Sequence, residues 1–381
     1  MRTVYLDHNA TTPVDPAVCE AMLPYLGDRF GNPSSIHAVG RTARVALDEA
    51  RDEVAAFIGV DPLSVVFVSS GSEANNMAIR GIATAKRDHG RHFVVSSVEH
   101  SSVLETCCAL EADGFSTTIV PVDETGMVEP KDVAAAITDE TLLVAVLHAS
   151  NEVGTIQPIE EVAALARERG VPLLVDTVQT AGKMPVDVRA LGCDMASFSC
   201  HKLYGPKGVG VLYIRQGLEL QPLITGGSHE MRRRAGTENV AGIVGFGVAC
   251  RLAAERREED EKRMQRLRDR LWKGIVERIS GVVLNGDPVS RLPNTLNVSF
   301  EAVEGESVVI GLDLEGVAVS TGSACASGKV KLSHVLVAMG LDEARVRGSV
   351  RFSLGRGTTE SDIDHVLEVL PPVIERLRGR G

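Results

Sequence analysis

The stretch SFSCHKLYGPKGVG (197 to 210) holds the residues best suited to chemistry: an apolar β-like run ends in Ser199, His201 and Lys202, and a Gly/Pro-rich turn follows. A lysine whose pKa is lowered by its surroundings can form a Schiff base with an aldehyde, while neighbouring hydroxyl and imidazole groups can hold a phosphate. A surface turn carrying a solvated lysine is the plainer account of that stretch taken alone. A second group lies in DTVQTAGK (176 to 183), where Asp176 ends a very apolar strand and Gln179 follows one short turn later. A carboxylate there can keep a pyridine nitrogen protonated, because burying a charge beside its opposite favours both ionised forms. Gln179 can hydrogen-bond a ring phenolic oxygen, and Asp176 could equally cap a following helix. Third, SSGSEANN (69 to 76) follows the run SVVFV and opens a helix, which points backbone N–H groups and the positive helix end at an anion. EHSSVL (99 to 104) and HASNEVG (148 to 154) place His100 and Asn151 after further apolar strands, where either could be a capping residue.

These groups are informative together, because open α/β sheets bind ligands at the carboxyl ends of their strands. The elements that must position them are legible. Asp15 and Pro16 open one helix and a second runs from about 37 to 58. Runs at 64 to 68, 92 to 96, 116 to 120, 142 to 147 and 171 to 176 then alternate with helical stretches. That rhythm predicts an α/β fold with a mostly parallel central sheet and helices on both faces. It stops near 215, and 241 to 279 reads as one long helix or two abutting ones, whose charged stretch ERREEDEKR suits a solvated face. The expected division is a large cofactor-binding domain over 16–258 and a smaller α+β domain over 259–381, completed by 1–15.

The chain has 381 residues, 44% hydrophobic and 24% charged, with 40 Lys+Arg against 51 Asp+Glu and a formal net charge of -11. That balance argues against direct nucleic acid binding and against an anionic membrane surface. No apolar run approaches the roughly 18 residues of a spanning helix, and MRTVYLDHNATTP lacks the pattern of a signal peptide, so a cytoplasmic location is expected. Seven cysteines without CxxC spacing suggest neither a disulfide framework nor a zinc site, and no metal is expected.

In this order YLDHNATTPVDP, GNPSSIHAVGR, SGSEANN, EHSSVL, SNEVG, DTVQTAGK, SCHKLYGPKG, GGSHEMRRRAGTEN, STGSACASG and RFSLGRGTTE span nearly the whole chain. Through them the sequence resembles the cysteine desulfurases of the NifS/IscS type, within the class V aminotransferase group of pyridoxal-phosphate enzymes. The resemblance implies the fold type I architecture of pyridoxal 5'-phosphate-dependent transferases. It makes Lys202 the Schiff-base lysine, Asp176 the pyridinium partner and Gln179 the contact to the ring hydroxyl. His100 would stack on the ring and assist proton transfer, Gly71, Ser72, Ser199 and His201 would hold the phosphate, and Asn151 would lie beside the ring. A homodimer is implied, with Thr237 reaching the phosphate of the neighbouring subunit.

STGSACASG supplies Cys325 among small residues, the candidate acceptor of the substrate sulfur, since a thiolate must attack and access matters as much as pKa. Arg351 in VRFSLGR can bind the substrate carboxylate through a two-point fork that lysine cannot reproduce, whereas Arg356 reads as structural. Ser70, Ser72 and Ser150 stand where the family commonly has glycine, threonine and asparagine, mild departures that leave the catalytic set intact. The chain ends at LRGRG, without the longer tail with which IscS-type members dock scaffold proteins, which favours a NifS-like or specialised desulfurase.

The implied reaction converts L-cysteine to L-alanine and leaves a persulfide on Cys325 for a sulfur-acceptor or scaffold protein, as in iron-sulfur cluster synthesis. Rival readings are a selenocysteine or cystine lyase, another class V enzyme, or a catalytically silent persulfide carrier. Retention of Cys325 argues against cystine lyase and aminotransferase, and retention of Lys202, Asp176 and His201 against the silent carrier.

Overall fold

A computed structural model describes residues 3–321 and 332–379. After the short strand β1 (Val4–Tyr5), the Asp15 carboxylate accepts the Ala17 N–H at 3.0 Å and Pro16 opens α1 (Pro16–Leu26). α2 (Ala38–Ile58) ends at Gly59, whose φ of +76° gives the left-handed cap that stops a helix. Alternation follows through β2 (Val65–Val68), α3 (Gly71–Ala85), β3 (His92–Ser96), α4 (Ser101–Glu111), β4 (Ser116–Val120), α5 (Pro130–Ala136), β5 (Thr141–Leu147), α6 (Ile159–Glu168), β6 (Leu173–Asp176), β7 (Met195–Ser199) and β8 (Gly210–Ile214). A single long helix, α7 (Val240–Arg278), leads to β9 (Val282–Asn285), β10 (Thr295–Phe300), α8 (Gly305–Leu314), β11 (Val317–Ala318), α9 (His334–Ala338), α10 (Glu343–Arg347), β12 (Ser349–Ser353) and α11 (Glu360–Arg378).

Seven strands form the central sheet in the order β2-β8-β7-β6-β5-β3-β4. From β7 to β4 all neighbours are parallel, while β8 runs antiparallel to both β2 and β7. Because two reversals restore direction, β2 still delivers its carboxyl end to the same edge as the parallel strands. The alternating side chains explain the helices on both faces. Val65, Phe67, Val94, Val144, Val175 and Phe198 pack with α2, α6 and the start of α7, whereas Val66, Val68, Phe93, Val95, Leu174 and Met195 pack with α3 and α4.

A separate apolar cluster joins Val4 and Leu6 to residues of β10, β12, α8 and α11, and takes Leu267, Leu271 and Ile275 from the end of α7. The start of the same helix gives Ile243, Phe246 and Ala249 to the sheet's core. Thus α7 ties two cores together. β1 pairs with β11, and β12 pairs with β10, which pairs with β9 in an antiparallel three-stranded sheet. Of the six cysteines among the described residues, Cys107, Cys193, Cys200 and Cys250 are buried. No helix among the described residues is long and apolar enough to cross a membrane.

Candidate functional site

The carboxyl edge of the sheet opens into a cleft of about 610 Å3 lined by Gly71, Ser72, His100, Asn151, Asp176, Gln179, Ser199, His201, Lys202 and Arg351. Sequence positions separated by as many as 280 residues therefore meet there.

Lys202 lies in a short 3-10 turn, Cys200–Lys202, directly after β7. Its ammonium donates to the backbone carbonyls of Asn9 and Ala10, the latter at 2.7 Å. Burial, and then the charge of Arg351, pull its pKa down to about 8, against the opposing pull of Asp7 and Asp176. The amine is thus poised near neutrality rather than locked as an ammonium.

Asp176 ends β6 in a buried position. Its two oxygens accept from the Val178 N–H at 3.0 Å and from Asn75 Nδ2 at 2.8 Å. A turn follows, not a helix, so the helix-capping alternative does not apply. Gln179 is buried next to it, with Nε2 donating to the Asn9 carbonyl at 3.0 Å.

Gly71 is the first residue of α3, and Ser70 caps that helix by accepting the Glu73 N–H at 3.1 Å. A Cβ on Gly71 would stand 2.7 Å from Val178 Cγ2, so a side chain would fill the space at the helix N-terminus. His201 contacts Thr11 Oγ1 through Nδ1 at 3.1 Å, and its pKa is depressed to about 4, first by burial and then by Lys202, Lys207 and Lys183. It is a neutral imidazole at neutral pH. His100 is exposed and caps α4 through Nδ1, accepting the Ser102 N–H at 3.1 Å. Capping and facing the cleft are therefore both true of it.

Arg351 is buried, with Nη2 bound to Asp7 Oδ1 at 2.7 Å, Nη1 bound to the Asn151 carbonyl at 3.0 Å and Nε without a partner among the described residues. Part of the fork expected for a substrate carboxylate is taken by the chain's own Asp7. Arg356 lies outside the cleft; it binds Asp260 at 2.8 Å and stacks 4.2 Å from the Tyr204 ring centroid, a structural role. Thr237 is exposed and does not line the cleft of its own chain, and Cys325 lies outside the described residues.

Sequence reasoning assigned no role to Asp7, Asn9, Asn75 or Lys183, although each lies inside a motif it singled out. Asn9 is the hub: its carbonyl accepts from Lys202 and Gln179, its Oδ1 from Lys183 and Asn294, and its Nδ2 donates to Asn151 and Thr295. No periodicity signals a contact that closes over nearly 200 residues.

This donor set fits pyridoxal 5'-phosphate: a lysine near its neutral point, a buried carboxylate, an amide beside it, and a helix N-terminus kept open by Gly71 with hydroxyls and a neutral imidazole around it.

Comparison with known proteins agrees. The Aminotransferase class-V family profile matches residues 4–366. A "Cysteine desulfurase IscS" of Dictyoglomus turgidum is 50% identical over 377 residues, covering 99% of this chain and 96% of the relative. A protein of the same name from Methanosarcina thermophila is 48% identical over 378 residues, covering 99% and 93%. A solved "NifS-like protein" superposes with a TM-score of 0.92 at 38% identity, covering 98% of this chain and 99% of the other.

Proposed function

The chain belongs to the cysteine desulfurases of the class-V aminotransferase family, and from that premise we propose how its own residues turn L-cysteine into L-alanine and capture the sulfur. The observation that carries the reading is the convergence, on one strand edge, of Lys202 with a lowered pKa, the buried Asp176 and the helix N-terminus at Gly71.

Pyridoxal 5'-phosphate, when bound, supplies an aldehyde for attachment of an amine and a ring that accepts the electrons of the substrate α-carbon. Asp176 would pair with the protonated ring nitrogen, Gln179 would donate to the ring hydroxyl, and His100 would cover the ring face, with Asn151 beside it. Gly71 and Ser72 on the α3 N-terminus, with Ser199 and His201, would hold the phosphate. Arg351 binds the substrate carboxylate through its fork. Lys202 would hold the cofactor aldehyde, and its amine is the base for the proton on the substrate α-carbon, with His100 assisting.

The Cys325 thiolate then attacks the substrate sulfur. An S–S bond forms, the substrate C–S bond breaks, and its electron pair stays with the carbon fragment, which is protonated and leaves as alanine. Sulfur passes from the Cys325 persulfide to an acceptor or scaffold protein by thiol exchange, the chemistry that iron-sulfur cluster assembly draws on.

The active unit is a homodimer in which Thr237 reaches the partner's phosphate site. Exposed apolar residues on and between α1 and α2, among them Leu26, Phe30 and Ile36, support burial against a second copy. We place the boundary between large and small domains at 258/259 within α7, with 1–15 joined to the small domain, and the protein in the cytoplasm. Incubation of the purified protein with L-cysteine, assaying alanine and sulfide under reducing conditions, tests the reading. Equimolar alanine and sulfide are expected, and pyruvate with ammonia in place of alanine would overturn it.

A further inference from the structure

Lys183 is a buried lysine that the reaction above does not use. Gly182, at φ +74°, turns the chain before it, and a Cβ at that position would collide with Leu203. Lys183 consequently points inward, 6% exposed, and does not line the cleft. Its ammonium donates to Gln179 Oε1 at 2.7 Å and to Asn9 Oδ1 at 2.9 Å. Both partners are neutral amide oxygens. The cations Lys202 and Arg351 face it, and so do His8 and His201, both with pKa values near 4 and therefore uncharged. A buried cation among cations is unfavourable for folding, so this residue type is costly where it stands.

We propose that Lys183 is a positioning residue for the cofactor: by donating to Gln179 Oε1 it fixes the orientation of that amide, so that Gln179 can present only N–H to the ring oxygen. The argument is one of donor inventory. A lysine ammonium has three N–H groups and no acceptor, so the amide edge facing it must be the oxygen. Gln179 Nε2 must then point the other way, where one hydrogen goes to the Asn9 carbonyl and the second is left for the cleft. Without Lys183 the amide can flip and turn its oxygen toward the ring oxygen, replacing attraction by repulsion. The pKa of Lys183 is lowered by burial and then by Lys202 and Arg351, and the neutral amine keeps two N–H groups, the number its two acceptors, Gln179 Oε1 and Asn9 Oδ1, take up.

The proposal rests on the reading that Gln179 meets the ring hydroxyl, and the test separates the two. In the holoenzyme the visible absorbance of the lysine-bound cofactor titrates with pH, and a hydrogen bond to the ring oxygen lowers the midpoint by stabilising the anionic oxygen. Lys183→Met should raise that midpoint by about one pH unit. Gln179→Leu should raise it as well, and the double variant should lie no higher than Gln179→Leu alone, because Lys183 acts through Gln179. Lys183→Gln keeps a polar group in the buried position but can accept as well as donate, so it should also raise the midpoint. A wild-type midpoint in both Lys183 variants, or a double variant equal to the sum of the singles, overturns the proposal. A wild-type midpoint in Gln179→Leu overturns the reading beneath it.

Discussion

The central sheet has a cleft of comparable volume at each edge, and only one of them is the candidate site. At the amino edge about 730 Å3 is lined by Asp61, Lys86, Arg167, Arg189, Asp194 and Arg215 among others. Several of its charges are used on the protein itself. Arg215 pairs with Asp194 at 2.5 Å while half exposed, Asp194 also accepts the Leu173 N–H at 2.8 Å, and Arg167 donates to the Gly192 carbonyl at 3.2 Å. The Cys193 thiol beside them is pushed up to about 12 by burial, so it is no nucleophile. At the carboxyl edge Asp176, Gln179, Ser199 and Arg351 are buried, acceptors are shared and donors are left unused, as with Arg351 Nε and the second N–H of Gln179. Volume and charge do not separate the two clefts; desolvated polar groups held in place with capacity to spare do.

The sharpest way to break this contrast is to delete one lysine from each edge. Lys202→Ala should abolish the visible cofactor band and lower alanine production by on the order of a thousandfold or more, because no other lysine of the cleft can replace it. Lys86→Ala should leave both unchanged. Equal losses in the two variants would remove the distinction.

Arg351→Lys keeps the charge and loses the planar fork. The apparent affinity for cysteine should fall by about 1 to 3 kcal/mol, roughly 5- to 150-fold in KM, with cofactor content unaltered. An unchanged KM would move the carboxylate site away from the Asp7–Arg351 pair.

A smaller effect concerns pH. Only the neutral Lys202 amine attacks an aldehyde, so cofactor uptake by the cofactor-free protein should rise with pH through about 8 and level off above it. An ordinary lysine would still be gaining rate near about 10.4. Asp7 opposes the shift, so Asp7→Asn should move the midpoint lower still. Stopped-flow absorbance across pH 6 to 11 reads both. A midpoint above that of free lysine would contradict the burial argument.

The smallest effect is expected at the amino edge, where Arg215→Ala removes a half-exposed ion pair. Stability should change by no more than about 1 kcal/mol and the kinetics not at all.

The same contrast marks what could be seen in the sequence. β3 and β4 match their expected runs residue for residue, and the cap at Asp15 follows a local rule, whereas the histidine cap at His37 does not announce itself. The reversal of β8 was not legible, because GVLYI carries the same pattern in either direction and side-chain alternation says nothing about polarity of pairing. Nor was the edge position of β2, which depends on the crossover rather than on its residues. Within the site, Lys202, Asp176 and Gln179 were found because their strands announce them. Asp7, Asn9 and Lys183 act through partners distant in sequence, and only the folded chain shows Asn9 beneath Lys202, or Asp7 against Arg351.

Borohydride reduction of the pyridoxal-phosphate-loaded protein, followed by peptide mapping, tests most directly the claim that the chemistry stands at the carboxyl edge on Lys202. The reduced cofactor should be found on the peptide containing Lys202 and on no other. Label on Lys183, Lys207 or the amino-edge Lys86 would contradict the account.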